Sequence, residues 1–180
     1  MPRMTDRPLD EVRRYLEPGP VVLVTSAHGD ERDIMVMGWH TVMEFSPSLV
    51  GCVISRANHS HGLIRASGEC VLNLPTTGLL EAVLGVGSTT GSEVDKFAAF
   101  GLTPDASERV AAPSIRECHA QFECRLHDDS LVDRYDFFIW EVVAARALAR
   151  PRHPETLHYK GDGTFMVSGK VIRRQRVGLK

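Results

Sequence analysis

Ser55-Arg56-Ala57-Asn58-His59-Ser60 places one guanidinium, two hydroxyls, an amide and an imidazole within six residues. Phosphate recognition uses this mix, because charge-assisted hydrogen bonds are strong and a guanidinium fork matches phosphate geometry. Ser60 also stands where it can cap a helix running from His61 to Ser67, and the free N–H groups at a helix start attract anions. Upstream, Met35-Val36-Met37-Gly38-Trp39 and Leu49-Val50-Gly51-Cys52-Val53-Ile54 are apolar runs suited to two neighbouring strands buried on both faces. Ser46-Pro47-Ser48 supplies turn chemistry between them. A lone Arg is ordinarily a solvated cation, and a lone Trp is ordinarily core. Here an apolar wall stands beside an anion clamp, which suits a planar aromatic ligand carrying a phosphate, the shape of a flavin mononucleotide (FMN) site.

Other chemistries find less support. His59-x-His61 is close-set, but no acidic or cysteine ligand accompanies it at a familiar spacing, so no metal site is assigned. No Ser, His and Asp are singled out as a nucleophile, base and orienting acid. Gly85-Val86-Gly87-Ser88-Thr89-Thr90-Gly91 follows a helix rather than a strand and lacks both G-x-G-x-x-G spacing and a G-K-[S/T] ending. It reads as a mobile loop near a ligand mouth.

The elements that must position the clamp follow from periodicity. Leu9, Val12 and Leu16 share one face of a short helix that Pro18-Gly19-Pro20 ends. Val21–Ser26 is a first strand, turned by His28-Gly29-Asp30 into the strand that begins near Asp33. Glu69–Leu74 is a strand stopped by Pro75, Leu79–Leu84 a short helix, and Glu93–Phe100 a helix with Val94, Phe97 and Phe100 inward and Lys96 pointing elsewhere. From Arg116 to Leu126, apolar Cys118, Ala120, Phe122, Cys124 and Leu126 alternate with polar Glu117, His119, Gln121, Glu123 and Arg125. That predicts one strand with a buried and a wet face. On one strand Cys118 and Cys124 stand about 20 Å apart, too far to pair. Tyr135–Ala144 is a further strand after the polar hairpin Asp128-Asp129-Ser130, and Val142–Leu148 either continues it or bends out. Gly161-Asp162-Gly163 turns the chain before Thr164–Val167. About seven strands, three short helices and no repeated strand–helix crossover predict a mainly β fold, a closed or split antiparallel barrel.

The 180 residues suit one domain over 1–180, with 1–18 as helix and lead-in and 173–180 as a basic tail. A net charge of −2 and the lack of a basic, aromatic-studded block argue against nucleic acid. No apolar run reaches membrane-spanning length and the start has no apolar signal core. Cys52, Cys70, Cys118 and Cys124 sit in apolar contexts without a C-x-x-C pair, as reduced core residues of a cytoplasmic protein do.

Asp33-Ile34-Met35-Val36-Met37-Gly38-Trp39-His40-Thr41, followed by Ser55-Arg56 and His59-Ser60, resembles the flavin reductase-like, FMN-binding split-barrel family of the flavoredoxin type. The resemblance continues through Gly68–Pro75, Asp95-Lys96-Phe97, Glu117-Cys118 and Leu157–Gly161. Two positions depart from the family pattern, Asp33 where Asn is common and Val36 where Thr is common. With these departures, a side-chain hydrogen bond to the flavin edge that the family pattern implies is missing here. The resemblance implies a Greek-key-like FMN-binding split β-barrel, with Met35, Val36, Met37, Gly38 and Trp39 lending backbone donors and apolar contact to the isoalloxazine ring. It implies phosphate contacts from Ser55, Arg56, Asn58, His59 and Ser60, and a phosphate or ring contact from Lys96. It also implies a homodimer with the flavin cleft near its interface. The expected activity is hydride transfer from NADH or NADPH to flavin, for which no residue is named catalytic because the flavin carries the chemistry. The alternatives are an electron carrier taking electrons from a redox protein partner, and a barrel binding a related cofactor or none.

Overall fold

The computed structural model describes residues 19–174. The helix expected over Leu9–Leu16 and the end of the basic tail lie outside them. β1 (Val22–His28) and β2 (Glu31–Met37) form a hairpin whose two-residue loop opens on Gly29 at φ +59°, a conformation glycine adopts without steric cost. β3 (His40–Phe45) and β4 (Ser48–Val53) form a second hairpin, followed by α1 (His59–Ser67) and β5 (Glu69–Leu74). Then come α2 (Leu80–Gly87), α3 (Lys96–Ala99), the short pair β6 (Pro104–Asp105) and β7 (Ser114–Ile115), and β8 (Ala120–Asp128). The chain continues through α4 (Val132–Tyr135) and β9 (Phe137–Ala147) to a last hairpin of β10 (Leu157–Gly161) and β11 (Thr164–Val167). That hairpin turns on Asp162 and Gly163, both at positive φ.

Seven strands make one sheet, ordered β2-β1-β5-β8-β9-β4-β3 with every pairing antiparallel. The two edge strands are consecutive in the chain, joined only by Gly38 and Trp39. Two residues span about 7 Å, so the sheet must curl until its edges approach each other there. The result is a barrel split between β2 and β3. Its interior is packed by Val24, Met35, Met37, Leu72, Phe138 and Trp140. A second apolar layer, with Leu23, Ile34, Val83, Val86 and Phe97, lies outside β1 and β2 under α2 and α3. Alternate residues of β1 and β2 thus enter different layers, and both strands read as continuous apolar runs because both faces are covered.

Several expectations need correction. The two apolar runs of the clamp region are not neighbouring strands. The chain breaks at Gly38-Trp39, β4 pairs with β3 and β9, and β3 is exposed rather than buried on both faces. Arg116–Leu126 is not one strand either. β8 begins at Ala120, and Cys118 precedes it in the outer layer while Cys124 lies inside the barrel. Nor is the polar parity wet along its whole length: Glu117 and Arg125 are exposed, but His119 and Glu123 are buried, and the Glu123 carboxylate accepts N–H bonds from Glu108 (3.0 Å) and Arg109 (2.6 Å) in the connection between β6 and β7. Asn73 anchors the same connection, accepting from the Ile115 N–H at 2.8 Å and donating to the Leu23 carbonyl at 3.1 Å. Gly85 and Gly87 belong to α2 rather than to a loop, and only Lys96–Ala99 of the expected 93–100 helix is helical, with Asp95 as its cap. β9 does continue, as far as Ala147. All four cysteines are free and buried. Burial pushes the Cys52 and Cys70 thiols well above the ordinary range and Cys118 up to about 12.

Candidate functional site

Where β2 runs out, a cleft of about 250 Å³ opens between the barrel's two edges. It is bounded by the 35–39 stretch with Val53, Ser55 and Asn58. Its polar character comes from backbone direction. Lys96 Nζ donates to the Ile34 carbonyl at 2.6 Å, so that carbonyl points away from β1. Alternate residues of a strand present their N–H and C=O to opposite edges. Val36 therefore presents its N–H and C=O outward at the cleft, while Met35 and Met37 turn theirs toward β1 and pack their side chains in the barrel. Gly38 adds backbone without a side chain, and Trp39 is 53% exposed beside it. A planar ring carrying both donors and acceptors fits such an edge.

The clamp loop is folded on itself. Ser55 Oγ accepts from the Ala57 N–H at 3.2 Å, and the Asn58 side-chain amide donates to the Ser55 carbonyl at 3.2 Å. Asn58 is the N-cap of α1, and no side chain caps that helix. This corrects the expected Ser60 cap. Ser60 is the second residue of a helix starting at His59, and its hydroxyl is claimed by Asp33 Oδ2 at 2.6 Å in a fully buried contact. An uncapped helix start beside a cleft leaves N–H groups for an anion.

Arg56 stands at the outer side of this loop, with a side chain 62% exposed. Its Nε and Nη2 donate to Asp136 Oδ1 at 3.0 and 2.9 Å, and Nη2 also reaches the Asp133 carbonyl at 3.1 Å. These bonds hold the Asp136 carboxyl below the usual range and raise the guanidinium further. His61 sits edge-on to Phe138, with ring centroids 5.5 Å apart, and its own burial lowers its pKa against the opposing pull of Asp136. His59 faces a separate polar cleft of about 500 Å³ formed with Arg32, Ser92 and Asp95. The structure thus brings Met35–Trp39, Ser55 and Asn58 together around one cleft, with Arg56 and His59 flanking it. Lys96, for which the resemblance implies a phosphate or ring contact, is buried on Asp33 and the Ile34 carbonyl. The Ile34 carbonyl and the buried Asp33 carboxylate, both on β2, lie within reach of α3.

Residues 13–167 match the family model described as "Flavin reductase like domain". The chain belongs to the flavin reductase-like family. The Escherichia coli K12 protein YddH is 33% identical over 186 residues, covering 96% of this chain and 98% of that one. A Pyrococcus abyssi protein is 34% identical over 131 residues, covering 73% and 75%. Two solved structures share the fold. One is an FMN-binding domain of a flavin reductases-like enzyme from Shewanella baltica (TM-score 0.80, 24% identity, 94% and 96% covered). The other is the flavoredoxin of Desulfovibrio vulgaris (TM-score 0.79, 21% identity, 89% and 92% covered).

Two features of this family member escape a reading of the sequence. Asp136, the partner of Arg56, lies 80 residues from it, inside the stretch Tyr135–Ala144 that the sequence suggests is a strand. Asp33 carried a signal, since a carboxylate inside an otherwise apolar strand needs a buried partner. Nothing in the sequence says that the partners are Ser60 and Lys96.

Proposed function

We propose that this protein is an FMN-binding oxidoreductase that passes hydride from NADH or NADPH to flavin. The observation that carries the reading is the cleft at the end of β2, where the outward-facing N–H and C=O of Val36 stand beside an uncapped helix start. Bound there, the flavin supplies the redox chemistry, accepting and releasing electrons as hydride or singly. The chain's work is to bind and orient. The Val36 backbone meets the ring's hydrogen-bonding edge, Gly38 lets it approach, and Trp39 shields it. Ser55, Asn58 and Arg56 with the start of α1 hold the phosphate. No acid–base pair is required, and none lines the cleft.

A volume of about 250 Å³ lies just below the usual range of roughly 300–1,000 Å³ for ligand sites. The cleft also adjoins β3, which exposes Val42, Met43 and Phe45 in a row. A second copy laid on β3 covers that apolar surface and walls the cleft, which supports a homodimer. The free buried thiols and the family suit a cytoplasmic protein.

The test is the absorbance spectrum of the purified protein with FMN, before and after anaerobic NADH or NADPH. Bleaching of the flavin band by either nucleotide is the expected result. A yellow protein inert to both, yet reduced by a redox protein, is an electron carrier instead. A protein with no flavin affinity overturns both readings.

A further inference from the structure

Next to Val36's strand neighbour Ile34, between β2 and α3, lies an ion pair that flavin binding leaves unused. Asp33 is 3% exposed and Lys96 5%. Lys96 Nζ lies 3.1 Å from Asp33 Oδ1 and donates to the Ile34 carbonyl, while Asp33 Oδ2 takes the Ser60 hydroxyl. Oδ1 has the lysine as its ionic neighbour but no well-aligned hydrogen bond. Gly91 packs directly on it, so that a Cβ at that position would collide with the carboxylate.

Burying two charges costs desolvation that a neutral pair avoids, and apolar residues could tie β2 to α1 and α3 as well. The position of the pair suggests a use for the charges. Ile34 and Val36 are successive outward-facing residues on one strand edge, about 6.8 Å apart. A lysine on Ile34 therefore sits one step along the edge from the backbone that meets the ring, in a buried setting where charges act over that distance. A flavin that takes a hydride gains two electrons and one proton, hence one net negative charge, with the nicotinamide donor oxidised by the same amount. A nearby cation favours that reduced form, and a nearby anion opposes it.

We infer that Asp33 and Lys96 set the reduction potential of the flavin seated on Val36, with Asp33 cancelling the lysine's charge and so holding the potential low. This rests on the cofactor reading above. Asp33 is thus a positioning and potential-setting residue rather than a catalytic one.

The experiment measures FMN dissociation constants in the oxidised and the dithionite-reduced states, under nitrogen at fixed salt, for wild type, Asp33→Asn and Lys96→Met. Asn keeps an acceptor for Ser60 while removing the charge. Asp33→Asn is expected to shift the oxidised-to-reduced ratio about tenfold toward tighter reduced binding, equivalent to about +30 mV for a two-electron couple. Lys96→Met is expected to shift it about tenfold the other way. The double variant should return to within about twofold of wild type, and thermal melts identify any variant that has lost its fold. If a single variant fails to fold or loses FMN altogether, the double variant decides alone, and a tenfold departure of its ratio overturns the inference. Shifts of the same sign in both single variants, or none in either, also overturn it, since a purely structural knot gives no opposite signs. If wild type binds no flavin, the cofactor reading fails first, which is a distinguishable result.

Discussion

β2 and β3 are the two edges of one sheet, joined through Gly38 and Trp39, and the chain finishes them differently. The outer edge of β2 is closed by side chains: Lys96 takes the Ile34 carbonyl, Asp33 holds Lys96, and Ser60 holds Asp33, all buried under α1 and α3. Further along the same edge, Val36 faces outward at the cleft. β3 has no such cover. Phe45 is 88% exposed, Val42 67% and Met43 44%, on a strand at the edge of the sheet. Bare apolar edges invite strand-to-strand association, which proteins ordinarily block with charge, proline or a covering element. One edge is thus covered by side chains and the other is bare, and on the function proposed above the first serves a small molecule and the second a further protein chain.

The largest effect should come from breaking the open edge. Val42→Asp with Phe45→Asp puts two like charges where a partner strand would lie. If these are central interface residues worth about 2 kcal/mol or more each, association weakens on the order of a thousandfold. Light scattering at micromolar concentration should then show dimer for wild type and monomer for the variant. Wild type that is monomeric with FMN bound removes the dimer from the reading. FMN affinity should fall along with the dimer, because the partner walls the cleft.

Arg56→Ala tests the flank of the cleft itself. Losing a charge-assisted contact to phosphate should weaken FMN by about tenfold to a hundredfold and leave riboflavin, which has no phosphate, nearly unchanged. A parallel titration of both flavins reads this out. Equal weakening of the two would mean that Arg56 serves the loop through Asp136 and never meets the phosphate.

The sealed edge has its own probe in Gly91. A methyl there strikes the buried Asp33 carboxylate, and overpacking at such a site costs about 1–3 kcal/mol. For a chain of this size, Gly91→Ala should lower the melting temperature by roughly 2–12 °C. Gly62→Ala, on the exposed side of α1 with nothing within 4 Å, is the control. It should be neutral or stabilising, by up to about 1 kcal/mol of helix propensity.

The two edges also differ in how legible they were. The β1–β2 hairpin, Glu69–Leu74 as a strand and the Asp162-Gly163 turn follow from local chemistry, and the structure reproduces them with shifts of a residue or two. The apolar stretch 35–39 and the polar loop 55–58 were readable as two halves of a site because they are close in sequence. What failed was everything set by distant contacts. The runs 35–39 and 49–54 looked like neighbouring strands because both are apolar, whereas β3 comes between them and lies exposed at the sheet edge. Glu123 looked wet because it alternates with apolar residues, until a loop from elsewhere covers it. Lys96 looked like a phosphate or ring contact from the Asp95-Lys96-Phe97 match, whereas the arrival of α3 over β2 gives it a carbonyl and a carboxylate 62 and 63 residues back. Period-2 patterning assigns residues to faces but not to the layers that later cover those faces.

The smallest expected effect compares the two sides through their thiols. Cys52 lies on β4, one strand in from the open edge, and Cys118 lies in the outer layer near the sealed one. Burial raises both thiol pKa values above the unfolded-state range of about 8.5–9. The sign follows from linkage. Below about pH 9 both states keep the proton, and the contribution to stability is fully present. As pH rises further the unfolded chain loses its protons while the folded one retains them, so stability falls, for Cys118 until its folded value of about 12. Each such thiol contributes at most about 1.4 kcal/mol per pH unit in that window. Urea unfolding at pH 8, 9, 9.5 and 10 should therefore show a downward slope, and Cys118→Ala should make it shallower by the share of one thiol. An unchanged slope would mean that Cys118 ionises as easily folded as unfolded. At pH 8 native thiols should label slowly in wild type. In the Val42→Asp, Phe45→Asp variant Cys52 should label before Cys118, because the strand covering it has lost its partner. If Cys118 labels first, the opening lies on the β2 side, and the two edges have been assigned the wrong way round.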